Sequence, residues 1–258
     1  MPEFVSNGVR LVYDDVGTGT PIILLHGLGG NRYSFQEFIK QFNSQFRIIA
    51  LDSRGHGDSE KPAGYSLDDH IEDVKALMNY LSIDSAHILG ASMGSYIAQG
   101  VAITIPNRIN KLILVVAKSH GKTSSTQELM ERHADEIAGL NMDEAIAHLS
   151  QYIFYNLDAA REYLMEYQTK GHALTPQEQA AANKALEGFD FRSDLHKITA
   201  ETLVISGKHD GLNPPILGRE IANLIPNATF VEFEKSGHVP NAEEPEKFIN
   251  IIRNFLIE

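Results

Sequence analysis

Residues 90–95 read GASMGS, and this stretch decides how the whole chain is interpreted. It follows the apolar run HIL, residues 87–89, and leads into the helical pattern MGSYIAQGVAI, residues 93–103. A nucleophilic serine at such a junction sits on a sharp, strained turn, which requires small neighbours. The two glycines that flank Ala91-Ser92-Met93 meet this requirement. The stretch therefore predicts that Ser92 is exposed as a nucleophile where a strand ends.

Elsewhere the chain alternates short apolar runs with helical patterns. Six runs rich in Ile, Leu and Val are predicted as strands, at residues 22–25, 47–52, 87–91, 111–116, 202–206 and 229–234. Between most of them apolar residues recur three or four apart, as at Ile71, Val74 and Leu77. The turn signal SNG, residues 6–8, predicts an additional N-terminal hairpin. Because alternating strands and helices form parallel sheets, we predict an α/β fold with a mostly parallel, doubly wound sheet.

Residues 120–196 interrupt this alternation. The pattern there is helical throughout, with capping-box spacings that begin at Ser125, Asn141 and Thr175, and a further helix is predicted over residues 158–168. Four helices between two strands cannot belong to the regular winding of the sheet. We therefore predict a helical cap at 120–196, inserted into a core formed by 1–119 and 197–258. The charged residues of the cap predict polar outer faces with no broad apolar patch.

Composition excludes several classes of function. The 258 residues carry a net charge of −12 that is spread along the chain, which argues against binding to nucleic acid or to an anionic membrane. The chain has no cysteine, and no apolar run approaches the length of a membrane helix. We predict a cytoplasmic protein with a small-molecule ester as its partner. No motif for a metal or a nucleotide cofactor is found, so none is predicted, and the oligomeric state stays open.

Three residues that follow predicted strands fit the chemistry of an activated serine. Ligand sites in open parallel sheets lie at the carboxyl ends of the strands, where Ser92, Asp210 and His238 occur in that chain order. A serine hydroxyl needs a base and a group that orients the base, and we assign these tasks to His238 and Asp210.

Oxyanion donors are expected from the backbone N–H of Met93 and from the glycine-rich loop at 27–30. We interpret His26 and His56 as hydrogen-bonded framework residues.

These motifs together resemble the α/β-hydrolase superfamily. The segments HGLGG, DSRGHGDS, GASMGS, GKHDG and GHVPNAEEPE stand in the family's order across nearly the full chain. The chain looks most similar to small bacterial esterases and lactonases, including 3-oxoadipate enol-lactonases and cofactor-free haloperoxidases. The resemblance implies Ser92 as nucleophile, Asp210 as acid and His238 as base. It also implies that the backbone N–H groups of Leu28 and Met93 bind the oxyanion.

The function predicted from these features is hydrolysis of small carboxylic esters or lactones through an acyl-enzyme. A serine nucleophile argues against the family's haloalkane dehalogenases and epoxide hydrolases, whose nucleophile is aspartate. Two alternatives stay open: a ligand receptor that turns over slowly, and a carbon–carbon bond hydrolase with the same three residues. Five aromatic residues of the cap are expected mainly to pack its helices, with one or two lining the acyl pocket: Tyr152, Phe154, Tyr155, Tyr163 and Tyr167.

Overall fold

The computed structural model describes residues 1–257. Its strands are β1 (Glu3–Ser6), β2 (Val9–Val16), β3 (Thr20–Leu25), β4 (Phe46–Leu51), β5 (Ala86–Ala91), β6 (Ile109–Val115), β7 (His120–Gly121), β8 (Phe189–Asp190), β9 (Glu201–Gly207) and β10 (Ala228–Phe233). Its α-helices are α1 (Gln36–Phe42), α2 (Leu67–Tyr80), α3 (Met93–Thr104), α4 (Ser125–Arg132), α5 (Met142–Ile153), α6 (Leu157–Gln168), α7 (Pro176–Lys184), α8 (Pro215–Leu224), α9 (Pro240–Glu243) and α10 (Pro245–Ile257).

Eight strands form one sheet in the order β1-β2-β4-β3-β5-β6-β9-β10. All pairs from β4 to β10 are parallel, whereas β1 and β2 are antiparallel to each other and β2 is antiparallel to β4. Each of the six predicted strands lies within two residues of its observed bounds. The predictions of an N-terminal hairpin and of a mostly parallel sheet are therefore confirmed.

Apolar side chains cover both faces of the sheet. One core includes residues of α2, α3 and α8, such as Val74, Ile97 and Ile221. The other core includes residues of α1 and α10, such as Phe42 and Ile252. Because a parallel strand buries both of its faces, it needs apolar residues at consecutive positions, which explains the uninterrupted runs in the sequence. The sheet is doubly wound, as predicted.

The segment between β6 and β9 holds the four predicted helices α4 to α7, but it is not helical throughout. His120–Gly121 pairs antiparallel with Phe189–Asp190, so the two ends of the segment meet. The N-cap of α4, predicted at Ser125, is wrong by one residue. The N-cap is Ser124, whose side chain accepts a hydrogen bond from the backbone N–H of Gln127. The hydroxyl of Ser125 instead donates to the side chain of Asn213. The division into core and cap stays a prediction.

The outer faces of these helices are less polar than the sequence predicts. Met142 and Ile146 of α5 and Met165 of α6 are exposed. Within residues 1–257, no helix is long and apolar enough to span a membrane.

Candidate active site

Ser92 lies on the sharp turn between β5 and α3. Its φ of 51° and ψ of −118° are strained for a residue with a side chain. A Cβ atom on Gly90 would overlap the carbonyl oxygen of Gly94, and one on Gly94 would overlap the carbonyl oxygen of Leu25. The turn therefore requires glycine on both sides of the serine. Its backbone is fixed by Ser92 N–H, which donates to the carbonyl oxygen of Val115 at 2.9 Å.

The structure brings the three predicted side chains together in one hydrogen-bonded series. His238 Nε2 lies 3.0 Å from Ser92 Oγ, and His238 Nδ1 lies 2.8 Å from Asp210 Oδ2. Ser92 follows β5, Asp210 follows β9 and His238 follows β10. The three strand ends meet because these strands run in the same direction.

The carboxylate of Asp210 is held by its own loop. Its Oδ1 accepts the backbone N–H groups of Leu212 at 2.9 Å and of Asn213 at 3.0 Å, which leaves Oδ2 for His238. Asp210 is buried at 3% exposure. The backbone N–H of His238 donates to the carbonyl oxygen of Ile153 at the end of α5, so the segment between β6 and β9 also positions this histidine.

This arrangement can activate a hydroxyl. A carboxylate that accepts from His238 Nδ1 fixes the ring with its unprotonated Nε2 toward the serine. That nitrogen can take the proton of Ser92 Oγ as the oxygen attacks a carbonyl carbon. His209, the neighbour of Asp210, takes no part in this series and lies with its ring 4.7 Å from the ring of Tyr155.

The two expected oxyanion donors lie beside Ser92. Leu28, Met93 and Ser92 line the same cavity. Met93 is the first residue of α3, so its N–H has no acceptor within the helix. Gly27 approaches the serine so closely that a Cβ on it would lie 3.3 Å from Ser92 Cβ. Both residues therefore lie at the cavity beside the attacking oxygen, and their role as oxyanion donors stays a prediction.

His26 and His56 are buried behind this loop. His26 Nδ1 lies 2.8 Å from the carbonyl oxygen of Gly27 and must carry the proton, so its Nε2 accepts from Ser53 N–H at 3.0 Å. Burial lowers the pKa of His26 to about 4 and that of His56 to about 3. Neutral rings in these positions serve as hydrogen-bonding framework.

A buried ion pair holds the far end of the same loop. Arg32 is 1% exposed and bonds to Asp52 and, at 2.9 Å, to Asp58. Asp52 Oδ1 also accepts the backbone N–H of Arg32 at 2.6 Å. Breaking such a pair leaves an uncompensated buried charge, so the loop that starts at Gly27 is firmly anchored at its Arg32 end.

A cavity of about 220 Å³ opens beside Ser92. Three of the five aromatic residues singled out in the sequence line it, Phe154, Tyr163 and Tyr167, where one or two were expected. A second cavity of about 100 Å³ shares Tyr163, Tyr167 and Asn241 with the first. Across residues 1–257, no Lys, Arg, Asp or Glu side chain lines the cavity at Ser92. The chamber is therefore apolar apart from hydroxyl groups, one asparagine and His238.

Sequence reasoning missed several polar residues at this cavity or directly behind its wall: Tyr96, Ser125, Thr126, Asn213 and Asn241. Tyr96 could have been found, because it lies only four residues after Ser92, in the first turn of α3. In the part of the chain that the structure describes, no group of three or more His, Asp or Glu side chains is placed to hold a metal ion.

Comparison with known proteins identifies the family of this chain. A family model described as the alpha/beta hydrolase fold matches residues 20–245. The chain is 30% identical to the 2-hydroxy-6-oxononadienedioate/2-hydroxy-6-oxononatrienedioate hydrolase 1 of Pseudomonas putida, covering 96% of this chain and 92% of that protein. It is 29% identical to 3-oxoadipate enol-lactonase 2 of Acinetobacter baylyi, covering 88% and 85%. The crystal structure of the enol-lactonase from Burkholderia xenovorans LB400 superimposes with a TM-score of 0.84 at 28% identity, covering 100% of both chains.

Proposed function

Because this chain belongs to the α/β-hydrolase family, we propose that it is a serine hydrolase that cleaves small carboxylic esters or lactones through an acyl-enzyme. The observation that carries the proposal is the unbroken series from Ser92 Oγ through His238 to Asp210, with contacts of 3.0 and 2.8 Å. The other two histidines near the glycine-rich loop at 27–30 are unsuitable as the base, because His26 is hydrogen-bonded at both nitrogens and His56 is fully buried.

In the proposed reaction, Ser92 Oγ attacks the ester carbonyl and His238 Nε2 takes its proton. The N–H groups of Leu28 and Met93 stabilise the oxyanion that forms. Preorganised donors contribute most at this step, where the negative charge develops. His238 then gives the proton to the leaving alcohol, and the acyl group stays on Ser92. A water molecule, deprotonated by the same nitrogen, releases the acid and restores the enzyme.

The lining of the cavity supports a neutral substrate. The two relatives above are named for dicarboxylates, a dienedioate and an adipate. A carboxylate needs a cationic or strongly polar partner when it is buried, and within residues 1–257 this cavity has no Lys or Arg at its wall. We therefore assign neutral esters and lactones to this chain rather than the anionic substrates named for its relatives.

Labelling with a fluorophosphonate probe tests the nucleophile. The wild-type chain should be labelled at Ser92, and Ser92→Ala should abolish the labelling. Ser125→Ala is the matched control, because Ser125 lines the same cavity and its removal should leave the adduct in place. An adduct mapped to any other serine would overturn the assignment.

Steady-state kinetics distinguishes the enzyme from the slow receptor that the sequence left open. Sustained turnover of ethyl butanoate or of a small lactone supports the hydrolase. A single burst equal to the amount of enzyme, followed by no turnover, would indicate the receptor. Carbon–carbon bond hydrolysis is favoured as a second candidate by the relative of Pseudomonas putida, and product analysis on a neutral diketone tests it.

A further inference from the structure

A buried polar cluster lies at the wall of the cavity beside Ser92, which Tyr96 and Ser125 line. It consists of Tyr96 from α3, Ser125 from the start of α4, and Asn213 from the loop after β9. Asn213 Nδ2 donates to the carbonyl oxygen of Val116 at 2.6 Å and to Tyr96 Oη at 2.8 Å. Ser125 Oγ lies 2.6 Å from Asn213 Oδ1 and 3.2 Å from Tyr96 Oη.

The protons of this cluster can be assigned by counting. The carbonyl oxygen of Val116 only accepts, which fixes the orientation of the Asn213 amide. Asn213 Oδ1 also can only accept, so the hydroxyl of Ser125 must donate its single proton to it. Tyr96 Oη accepts from Asn213 and keeps its own proton. Two acceptors are recorded for that proton among residues 1–257: Ser125 Oγ at 3.2 Å, which is long for a bond between hydroxyl groups, and the hydroxyl of Ser92.

The Tyr96 hydroxyl lies close to the reacting atoms, since the side chain of Ser92 is among its hydrogen-bonding neighbours. Its ring stacks on Phe189 with the centroids 5.0 Å apart, and its side chain shares the cavity with Ser92. Burial raises the pKa of Tyr96 to about 12, so the phenol is neutral throughout the physiological range. This protonated donor has only a long contact to Ser125 within the wall, so it can donate to a ligand oxygen that enters the cavity.

We propose that Tyr96 binds a second oxygen of the substrate, so that the site selects neutral esters and lactones with a carbonyl or hydroxyl group close to the scissile carbonyl, as in 3-oxoacyl and 3-hydroxyacyl groups. The proposal rests on the proposed function, since it concerns the substrate of the same site. A carboxylate in this position is disfavoured, because within residues 1–257 the cavity has no cation to balance it.

The test compares ethyl 3-oxobutanoate with ethyl butanoate, which have acyl chains of equal length. In Tyr96→Phe the ratio of the two kcat/KM values should fall about 3- to 10-fold, the worth of one neutral hydrogen bond. Using the ratio removes the greater intrinsic reactivity of the oxo ester. Tyr163→Phe is the matched control, because it removes a hydroxyl from another wall of the cavity and should change both esters by the same factor. An equal loss for both esters in Tyr96→Phe would overturn the proposal.

Tyr96→Phe also leaves one Asn213 N–H unpaired, which costs stability, so a second replacement is needed. Placing 3-fluorotyrosine at position 96 keeps the ring and makes the hydroxyl a stronger donor. The ratio should then rise, and an unchanged or lower ratio would contradict the proposal. Failure of the proposed function looks different: wild-type protein would hydrolyse neither ester, or Ser92→Ala would retain the activity.

Discussion

His238 Nδ1 and Asp210 Oδ2 are 2.8 Å apart, and the other oxygen of Asp210 is already occupied by two backbone N–H groups. The carboxylate therefore cannot rotate away from the histidine without losing both of these bonds. In the proposed reaction, Asp210 acts through the orientation of His238. A replacement that keeps its shape but not its charge should affect kcat far more than stability.

We expect Asp210→Asn to fold normally and to lose about 10⁴ in kcat, the scale seen when a histidine of this kind is held in the wrong tautomer. The amide nitrogen at position 210 would donate to His238 Nδ1 and force the ring to carry its proton on Nε2, facing Ser92. Kinetics on ethyl butanoate and thermal unfolding measure the two effects. Asp194→Asn, near the surface, serves as the control. Activity within tenfold of wild type would place the acid elsewhere.

The glycines around Ser92 should resist substitution. In Gly94→Ala the new Cβ would overlap the carbonyl oxygen of Leu25, which belongs to the backbone and cannot move aside easily. We expect a loss of about 1–3 kcal/mol in the free energy of unfolding, together with a large loss of kcat because the serine shifts. Gly64→Ala is the matched control, since nothing lies within 4 Å of the added Cβ. Equal stability of the two variants in urea denaturation would refute the steric argument.

Four buried histidines should make the fold sensitive to acid. Burial lowers the pKa of His26 and of His87 to about 4, that of His56 to about 3, and that of His70 well below its usual value. In the unfolded chain these rings titrate near 6.5. Their contribution is fully present above that pH and is lost as the pH falls from there toward the folded values. Below pH 6.5, each ring should lower the free energy of unfolding by up to about 1.4 kcal/mol per pH unit.

Urea denaturation between pH 8 and pH 5 measures this slope. His70→Gln should make the slope shallower by up to about 1.4 kcal/mol per unit. His172→Gln is the control, because the His172 side chain is 78% exposed and its removal should leave the slope unchanged. A wild-type stability that stays flat down to pH 5 would mean that these rings are not kept neutral by the fold.

The strands and the meeting of Ser92, Asp210 and His238 could be predicted because both follow from local patterns. Uninterrupted apolar runs indicate parallel strands, and parallel strands bring their carboxyl ends to one edge. The cluster of Tyr96, Ser125 and Asn213 could not be predicted, since its hydrogen bonds join residues that are separated by 29, 88 and 117 positions in the sequence. One of these bonds also explains the error at the start of α4. The hydroxyl of Ser125 donates to Asn213, and Ser124 serves as the N-cap of the helix.

The remaining prediction concerns chain length, which the cavity beside Ser92 should limit. Its volume is about 220 Å³, and Tyr163 and Tyr167 separate it from the cavity of about 100 Å³ beyond. Each methylene of the acyl chain should add about 0.8 kcal/mol to transition-state binding until the space is filled, so activity should peak at roughly two to six carbons. Measuring kcat/KM on p-nitrophenyl esters from acetate to palmitate locates the peak.

Removing the wall should move that peak. Tyr163 donates from its hydroxyl to the carbonyl oxygen of Ser34 at 3.3 Å, which holds its ring between the two cavities. Tyr163→Ala should join them and lengthen the best acyl chain by about two carbons, with a gain consistent with 0.8 kcal/mol per added methylene. Tyr155→Ala is the control, because Tyr155 is exposed and lines neither cavity.

A wild-type peak at dodecanoate or beyond would refute the short-chain prediction. It would also give the exposed Met142, Ile146 and Met165 a role as a lipid-facing surface. A Tyr163→Ala profile that superimposes on the wild type would show that the second cavity does not receive the acyl chain.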